Sequence, residues 1–221
     1  MPELPDITVY IEALEKRIVG QRAERVRIVS PFLLRTVEPA VASVEGKKVV
    51  ELRRLGKRIC IGVDGGIWLV LHLMITGRLH WFDKIGKAVK LGGRQNLAAF
   101  EFSSGTLVWT EAGSQKRASL HLARGEEGLR ELDPGGAEVL ECSLAEFAEV
   151  LRSENHTLKR ALTDPRWFSG STERSRRGKA GRIWCHERTA REHAQDSRSG
   201  IDRPIIRSWL SLRYPSCARS K

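Results

Sequence analysis

Residues 58–72 read Arg58-Ile59-Cys60-Ile61-Gly62-Val63-Asp64-Gly65-Gly66-Ile67-Trp68-Leu69-Val70-Leu71-His72. Two six-residue runs rich in β-branched and aromatic side chains flank an Asp-Gly-Gly triplet suited to a tight turn, so the stretch predicts a β-hairpin. Further runs of the same kind lie on either side: Arg25–Val29, Lys48–Arg53, Arg78–Phe82, Leu97–Phe102 and Thr106–Thr110, with Ser103-Ser104-Gly105 as a second turn. Several short strands at this spacing argue for a β-sandwich or barrel. Upstream, Ile7, Tyr10, Ile11, Leu14 and Ile18 recur at helical spacing behind Pro5-Asp6, and Gly20 supplies a stop.

Downstream, Asp133-Pro134-Gly135-Gly136 reads as a linker, after which the period changes. Ser143 and Glu146 match a capping box ahead of Leu144, Phe147 and Leu151, which predicts a helix over 143–152. A second helix is expected over Thr157–Leu162, ended by Asp164-Pro165. From Ser171 onward Arg and Ser dominate without a period of 2 or 3.6, the composition of a disordered basic tail. The expected fold class is α+β. A β-sandwich with an N-terminal helix spans 1–135, a partial helical domain 136–170 and the tail 171–221.

A chain of 221 residues with 41% hydrophobic content can bury one good core or two small ones. The longest apolar stretch, Ile67–Gly77, is broken by His72 and too short to span a bilayer. The N-terminus carries acids where a signal peptide needs a basic flank, so a cytoplasmic protein with no membrane partner is expected. Cys60, Cys142, Cys185 and Cys217 stand far apart with no C-x-x-C, which signals neither a zinc knuckle nor a disulfide framework. The net charge of +11 points to a nucleic-acid partner. Most of that charge sits in residues 171–221, where eleven Arg and two Lys face five acids, so it speaks weakly for the rest of the chain.

The start, Met1-Pro2-Glu3-Leu4-Pro5-Asp6, carries chemistry. Once Met1 is removed, Pro2 presents a free secondary amine. An α-amino group titrates near pH 8, so an appreciable fraction is nucleophilic at neutral pH. Attack on an aldehyde-like carbon gives a cationic iminium, an electron sink, and Glu3 is placed to move protons on the same substrate.

Four separated segments, taken in order, give the chain its resemblance to the formamidopyrimidine-DNA glycosylase and endonuclease VIII family over residues 1–170. They are Met1-Pro2-Glu3-Leu4-Pro5, the basic turn Arg53-Arg54-Leu55-Gly56-Lys57-Arg58, His72-Leu73-Met74-Ile75-Thr76-Gly77-Arg78-Leu79, and His156-Thr157-Leu158-Lys159-Arg160-Ala161-Leu162. The resemblance implies Pro2 as nucleophile, Glu3 as its proton-transfer partner and Lys57 as a third catalytic residue that contacts DNA at the lesion. It further implies that His72 and Lys159 contact DNA and that Ile75 enters the base stack, Met74 standing where the family usually has Gly. Such an enzyme takes the damaged base out of the duplex, so it needs a wedge to fill the gap and cations to hold the kinked backbone. The implied function is base-excision repair: removal of oxidised bases of the formamidopyrimidine or 8-oxopurine type, then β- and δ-elimination at the abasic site. The implied partners are damaged double-stranded DNA and abasic-site DNA, met by a monomeric, bacterial, nucleoid-associated enzyme.

Two departures qualify that implication. The family's Arg-Arg-Phe turn is replaced by Thr110-Glu111-Ala112-Gly113-Ser114-Gln115-Lys116-Arg117-Ala118-Ser119, which leaves Lys116 and Arg117 to enter the gap and Ala118 where Phe would stand. After Trp167-Phe168-Ser169-Gly170 the family's Gly-Asn turn, further helix and four-cysteine zinc hairpin are missing, so no metal or other cofactor is expected in this chain. A reading-frame change in a GC-rich gene would produce such a segment, and a genuine alternative tail is the competing reading. Two other classes stay open: a DNA-binding remnant without catalysis, and an interaction protein whose Met-Pro start is incidental.

Overall fold

The computed structural model describes Pro2 and residues 4–83, 91–138, 141–155 and 157–170. Glu3, His156, the side chain of Lys159 and the whole 171–221 segment lie outside the described residues. Helix α1 (Leu4–Ile18) opens the chain, with Asp6 in its first turn and Lys16 and Arg17 in its last, each favourable to the helix dipole. Leu4, Ile7, Leu14 and Ile18 are buried on one face, and Gly20 at φ +80° ends the helix.

Eight strands follow: β1 (Ala23–Ile28), β2 (Val49–Leu55), β3 (Arg58–Val63), β4 (Ile67–His72), β5 (Gly77–Asp83), β6 (Asn96–Phe102), β7 (Gly105–Glu111) and β8 (Ser119–Arg124). They form two four-stranded antiparallel sheets, β1-β6-β7-β5 and β2-β3-β4-β8, as the sandwich reading requires. The β3–β4 hairpin has the expected limits, with Gly65 and Gly66 both at positive φ in its turn. Pairing runs from Arg58↔His72 to Val63↔Ile67. This register sends Ile59, Ile61, Val63, Ile67, Leu69 and Leu71 into the core between the sheets, where they meet Phe100, Phe102, Leu107 and Trp109.

The opposite face of the second sheet carries Cys60, Trp68, Val70 and Ala123. Helix α2 (Gly125–Glu131) covers them through Leu129, with Leu132 alongside. Arg53 stacks over Trp68 at 4.7 Å and reaches Glu51 and Glu126 at 2.8 and 2.9 Å. Neither β8 nor α2 is among the expected elements. The β8 segment follows directly on the Lys116-Arg117 turn and reads as its continuation, and α2 has two glycines in seven residues, a weak helical signal.

The chain divides into two compact units, Met1–Asp133 and Pro134–Lys221. In the second, Ser143 and Glu146 form the reciprocal capping box of α3 (Leu144–Arg152). Phe147 from that helix packs on Phe168 with ring centres 4.6 Å apart. Two-residue strands β9 (Ala137–Glu138) and β10 (Phe168–Ser169) pair in parallel. Helix α4 (Leu158–Ala161), on which Lys159 falls, is shorter than the sequence suggests, because the chain turns at Leu162–Thr163. Gly136, read as linker, is tightly packed: a Cβ there would stand 2.2 Å from the Pro165 carbonyl oxygen. No described helix is long and apolar enough to cross a membrane.

Gly77 closes the β4–β5 turn by donating its amide to the Leu73 carbonyl at 3.0 Å, and a Cβ on it would lie 2.2 Å from that same oxygen. Backbone cannot swing aside as a side chain does, so Gly77→Ala is expected to cost about 3 kcal/mol of stability. Urea unfolding of the variant checks this; an unchanged midpoint would contradict the described turn.

Candidate nucleic-acid interface

The β3–β4 register brings three loops to one end of the sandwich. Arg58↔His72 and His72↔Ser119 pair in adjacent ladders, so the β2–β3 turn with Lys57, the β4–β5 loop with Ile75 and the β7–β8 loop with Lys116 and Arg117 lie together there. Gly77↔Glu111 joins the first sheet to the same end. Pro2 belongs to this end as well. It is buried, and with Asp6, Val9, Tyr10 and Arg78 it lines a cavity of about 340 Å³. Arg78 directly follows Gly77, whose carbonyl accepts a hydrogen bond from Arg78 Nη1 at 2.7 Å. Five sequence candidates in the first unit, Lys57, His72, Ile75, Lys116 and Arg117, thus converge with Pro2. Lys159 lies in the second unit. Asp6 and Arg78 are additions that no spacing rule singled out, and Tyr10, read from the sequence only as part of the helix's apolar face, joins them in the cavity.

Each loop has its own local cause. Gly56 takes φ +58° in the turn that presents Lys57, which is half-buried. Met74 stands at φ +55°, a left-handed conformation that costs a residue with a Cβ about 1 kcal/mol. That conformation accounts for the family's Gly at this place. Beside it Ile75 is 46% exposed. Lys116 folds back so that its ammonium donates to the Glu111 carbonyl oxygen. Arg117 is exposed, its Nη2 donating to Gln115 Oε1 at 3.1 Å. Ala118 is buried, so the position read as replacing the aromatic wedge packs inward.

Burial, reinforced by cationic neighbours, sets the state of His72. Burial first, then Arg58, Lys57 and His121, pull its imidazole down to about 4. His72 is therefore neutral near pH 7 and offers a hydrogen-bonding ring rather than a charge. His121 is lowered in the same way, by burial and then by Arg58 and Arg35. Arg58 is itself lowered by burial and is anchored by donating Nη1 to the Leu132 carbonyl.

The family's zinc hairpin needs four thiolates. Burial among Trp68, Val70, Ala123 and Leu129 pushes the Cys60 thiol up to about 12, with Arg58 and Arg53 opposing the shift. Among the described residues no three His, Cys, Asp or Glu side chains group around a metal position.

Because the folded imidazole titrates below its unfolded value, protons bind the unfolded chain preferentially between about pH 6.5 and 4, and the His72 contribution to stability falls as pH drops through that window. Replacing His72 by Gln should shrink the difference in unfolding free energy between about pH 7 and about pH 5. An identical difference in both proteins would show that His72 is not so shielded.

Comparison with known proteins agrees with this geometry. The formamidopyrimidine-DNA glycosylase N-terminal domain matches residues 1–133. A formamidopyrimidine-DNA glycosylase of Solibacter usitatus is 27% identical over 172 residues, covering 77% of this chain and 61% of the relative. Among solved structures, the Lactococcus lactis enzyme non-covalently bound to abasic-site DNA superposes with a TM-score of 0.64 at 22% identity, covering 76% of this chain and 64% of that one. The Thermus thermophilus protein gives a TM-score of 0.62 at 25% identity, covering 76% of this chain and 59% of that one. The chain therefore spans less than two thirds of each of these three. With the match running through the whole first unit, from the reactive terminus to the end of α2, the chain belongs to the formamidopyrimidine-DNA glycosylase family.

Proposed function

We propose that this chain acts in base-excision repair as a bifunctional DNA glycosylase for oxidised bases of the formamidopyrimidine or 8-oxopurine type. The observation that carries the reading is the cavity around Pro2, reached from the same end of the sandwich as Ile75 and Arg117. With Met1 removed, the Pro2 nitrogen uses its lone pair to attack C1′ of the everted nucleotide, and the base leaves with the electrons of the glycosidic bond. Glu3 delivers a proton to the sugar ring oxygen as the ring opens, giving an iminium between Pro2 and C1′. Loss of a C2′ proton then expels the 3′ phosphate, a second elimination expels the 5′ phosphate, and water releases Pro2. Asp6 and Arg78 line the cavity in which these steps run.

Three side chains serve DNA rather than bond breaking. Lys57 steadies a phosphate at the lesion, and neutral His72 orients a backbone oxygen by hydrogen bonding. Ile75 and Arg117 fill the space left by the everted base, since both project from loops at the sandwich end and are exposed. Lys159 provides a grip from the second unit. No step uses a metal.

The proline amine must be free. Extra residues ahead of Pro2 should abolish borohydride trapping on abasic DNA while the protein still folds; full trapping by an extended N-terminus would refute the nucleophile. A chain that binds DNA but never traps would instead be a DNA-binding remnant of the family. A further expectation comes from the departure of residues 171–221 from the family's pattern. A kinked duplex must be held on both sides, and about 3 kcal/mol less of that grip lowers the flipped population roughly a hundredfold. Cleavage of a single-stranded abasic site should therefore exceed removal of an oxidised purine from duplex DNA by about that factor. Equal rates would show that the 171–221 segment supplies the second grip.

A further inference from the structure

Glu111 is the one buried carboxylate among the described residues, 1% exposed, and nothing in the chemistry above uses it. It ends β7 in register with Gly77, the first residue of β5, so its backbone stands between the two loops that present Ile75 and Arg117. The Glu111 amide is held by the Gln95 carbonyl at 2.8 Å. Its side chain gathers donors from both loops. The Arg117 amide donates to Oε1 at 3.2 Å and to Oε2 at 3.1 Å, and the Ala118 amide donates to Oε2 at 3.3 Å. From the other loop the Thr76 hydroxyl reaches Oε1 at 3.5 Å. Lys116 closes the circuit by donating to the Glu111 carbonyl oxygen. The loops also touch: a Cβ at Gly113 would stand 3.0 Å from Thr76 Oγ1.

A carboxylate taken out of water is costly unless donors replace the water it loses, and bonds to a charged acceptor are among the stronger ones. Here the replacements come from two separate segments. If either loop swings away, the carboxylate loses donors it cannot recover from solvent, so the position of one loop is tied energetically to that of the other. We propose that Glu111 is a positioning residue that locks the Leu73–Thr76 and Ala112–Ala118 loops into one element, so that Ile75 and Arg117 enter the base stack together. The wedge half of this proposal rests on the glycosylase reading above; the lock itself does not. Glu111 touches neither base nor sugar.

Three variants of the full chain test it. Glu111→Val removes every acceptor, Glu111→Gln keeps one oxygen for the amides and offers an NH₂ to Thr76, and Thr76→Val cuts only the second loop's arm. Deuterium exchange on the free protein should quicken by about tenfold or more in both 73–77 and 112–118 for Glu111→Val, with β2–β4 unchanged. Glu111→Gln should restore most of the protection, and Thr76→Val should quicken 73–77 most and 112–118 to a smaller extent. Should Glu111→Val fail to fold, the other two variants still read the lock. Faster exchange confined to 112–118 in Glu111→Val, or none in Thr76→Val, overturns it.

The DNA readout uses 2-aminopurine beside an abasic site in duplex. Glu111→Val should lose about tenfold of the unstacked signal, while borohydride trapping on single-stranded abasic DNA, which needs no wedge, stays within about twofold of wild type. Equal loss of both would mean that Glu111 serves stability only and would overturn the proposal. A wild-type chain that neither traps nor unstacks DNA refutes the glycosylase reading and the wedge half with it, and the exchange rates then decide whether the lock exists.

Discussion

The register of the β3–β4 hairpin is the constraint on which the rest depends. Side chains alternate across a strand, so a slip of one residue would turn Ile59, Ile61, Leu69 and Leu71 out of the core and bring Arg58, Cys60 and His72 into it. The Asp64-Gly65-Gly66 turn, with two residues at positive φ, fixes one register. Everything functional follows from which end of that hairpin is open. The closed end is the glycine turn; the open end carries Lys57 before β3 and the Leu73–Thr76 loop after β4. Pairing of β4 with β8 then brings the 112–118 loop to the same end.

Charge in the first unit is managed more closely than composition suggests. Arg53 is held by Glu51, Glu126 and the face of Trp68. Arg58 anchors the chain after α2 through the Leu132 carbonyl, and Lys116 turns back on its own loop. Shielding keeps His72 uncharged. Several of the cations counted in the sequence therefore organise the fold, and an exposed residue such as Arg117 is the kind left to meet a polyanion. A net charge of +11 overstates the interaction because it counts structural and DNA-facing cations alike.

The sandwich was legible because its strands carry uninterrupted β-type runs bounded by glycine turns, and the capping box named the start of α3 residue by residue. The candidate residues of the interface came from motifs whose order along the chain is itself a signal. Glu111 left no such trace. In sequence it is an acid at a strand end ahead of Ala112-Gly113-Ser114, a place where acids are ordinarily solvated; only the return of Arg117 and Ala118 over its carboxylate buries it. Asp6 and Arg78 escaped for a related reason, since their shared cavity joins a helix start to a strand start more than seventy residues away.

Placement of Pro2, the proposed nucleophile, is a consequence of core packing. Pro2 stands two residues before Leu4, and α1 is fixed to the sandwich by Leu4, Ile7, Leu14 and Ile18. A chain terminus is normally among the most mobile parts of a protein. Pro2 precedes a helix whose buried face is continuous with the main core, so the proposed nucleophile would share the rigidity of that core. Rigidity matters for attack at a sugar carbon, because a misplacement of about 1 Å can cost a hundredfold in rate. In the proposed lock the Leu73–Thr76 and Ala112–Ala118 loops are held by another route, a buried carboxylate that meets donors from both sides. The proposed nucleophile and the proposed wedge thus rest on one scaffold, and both lie within the first compact unit.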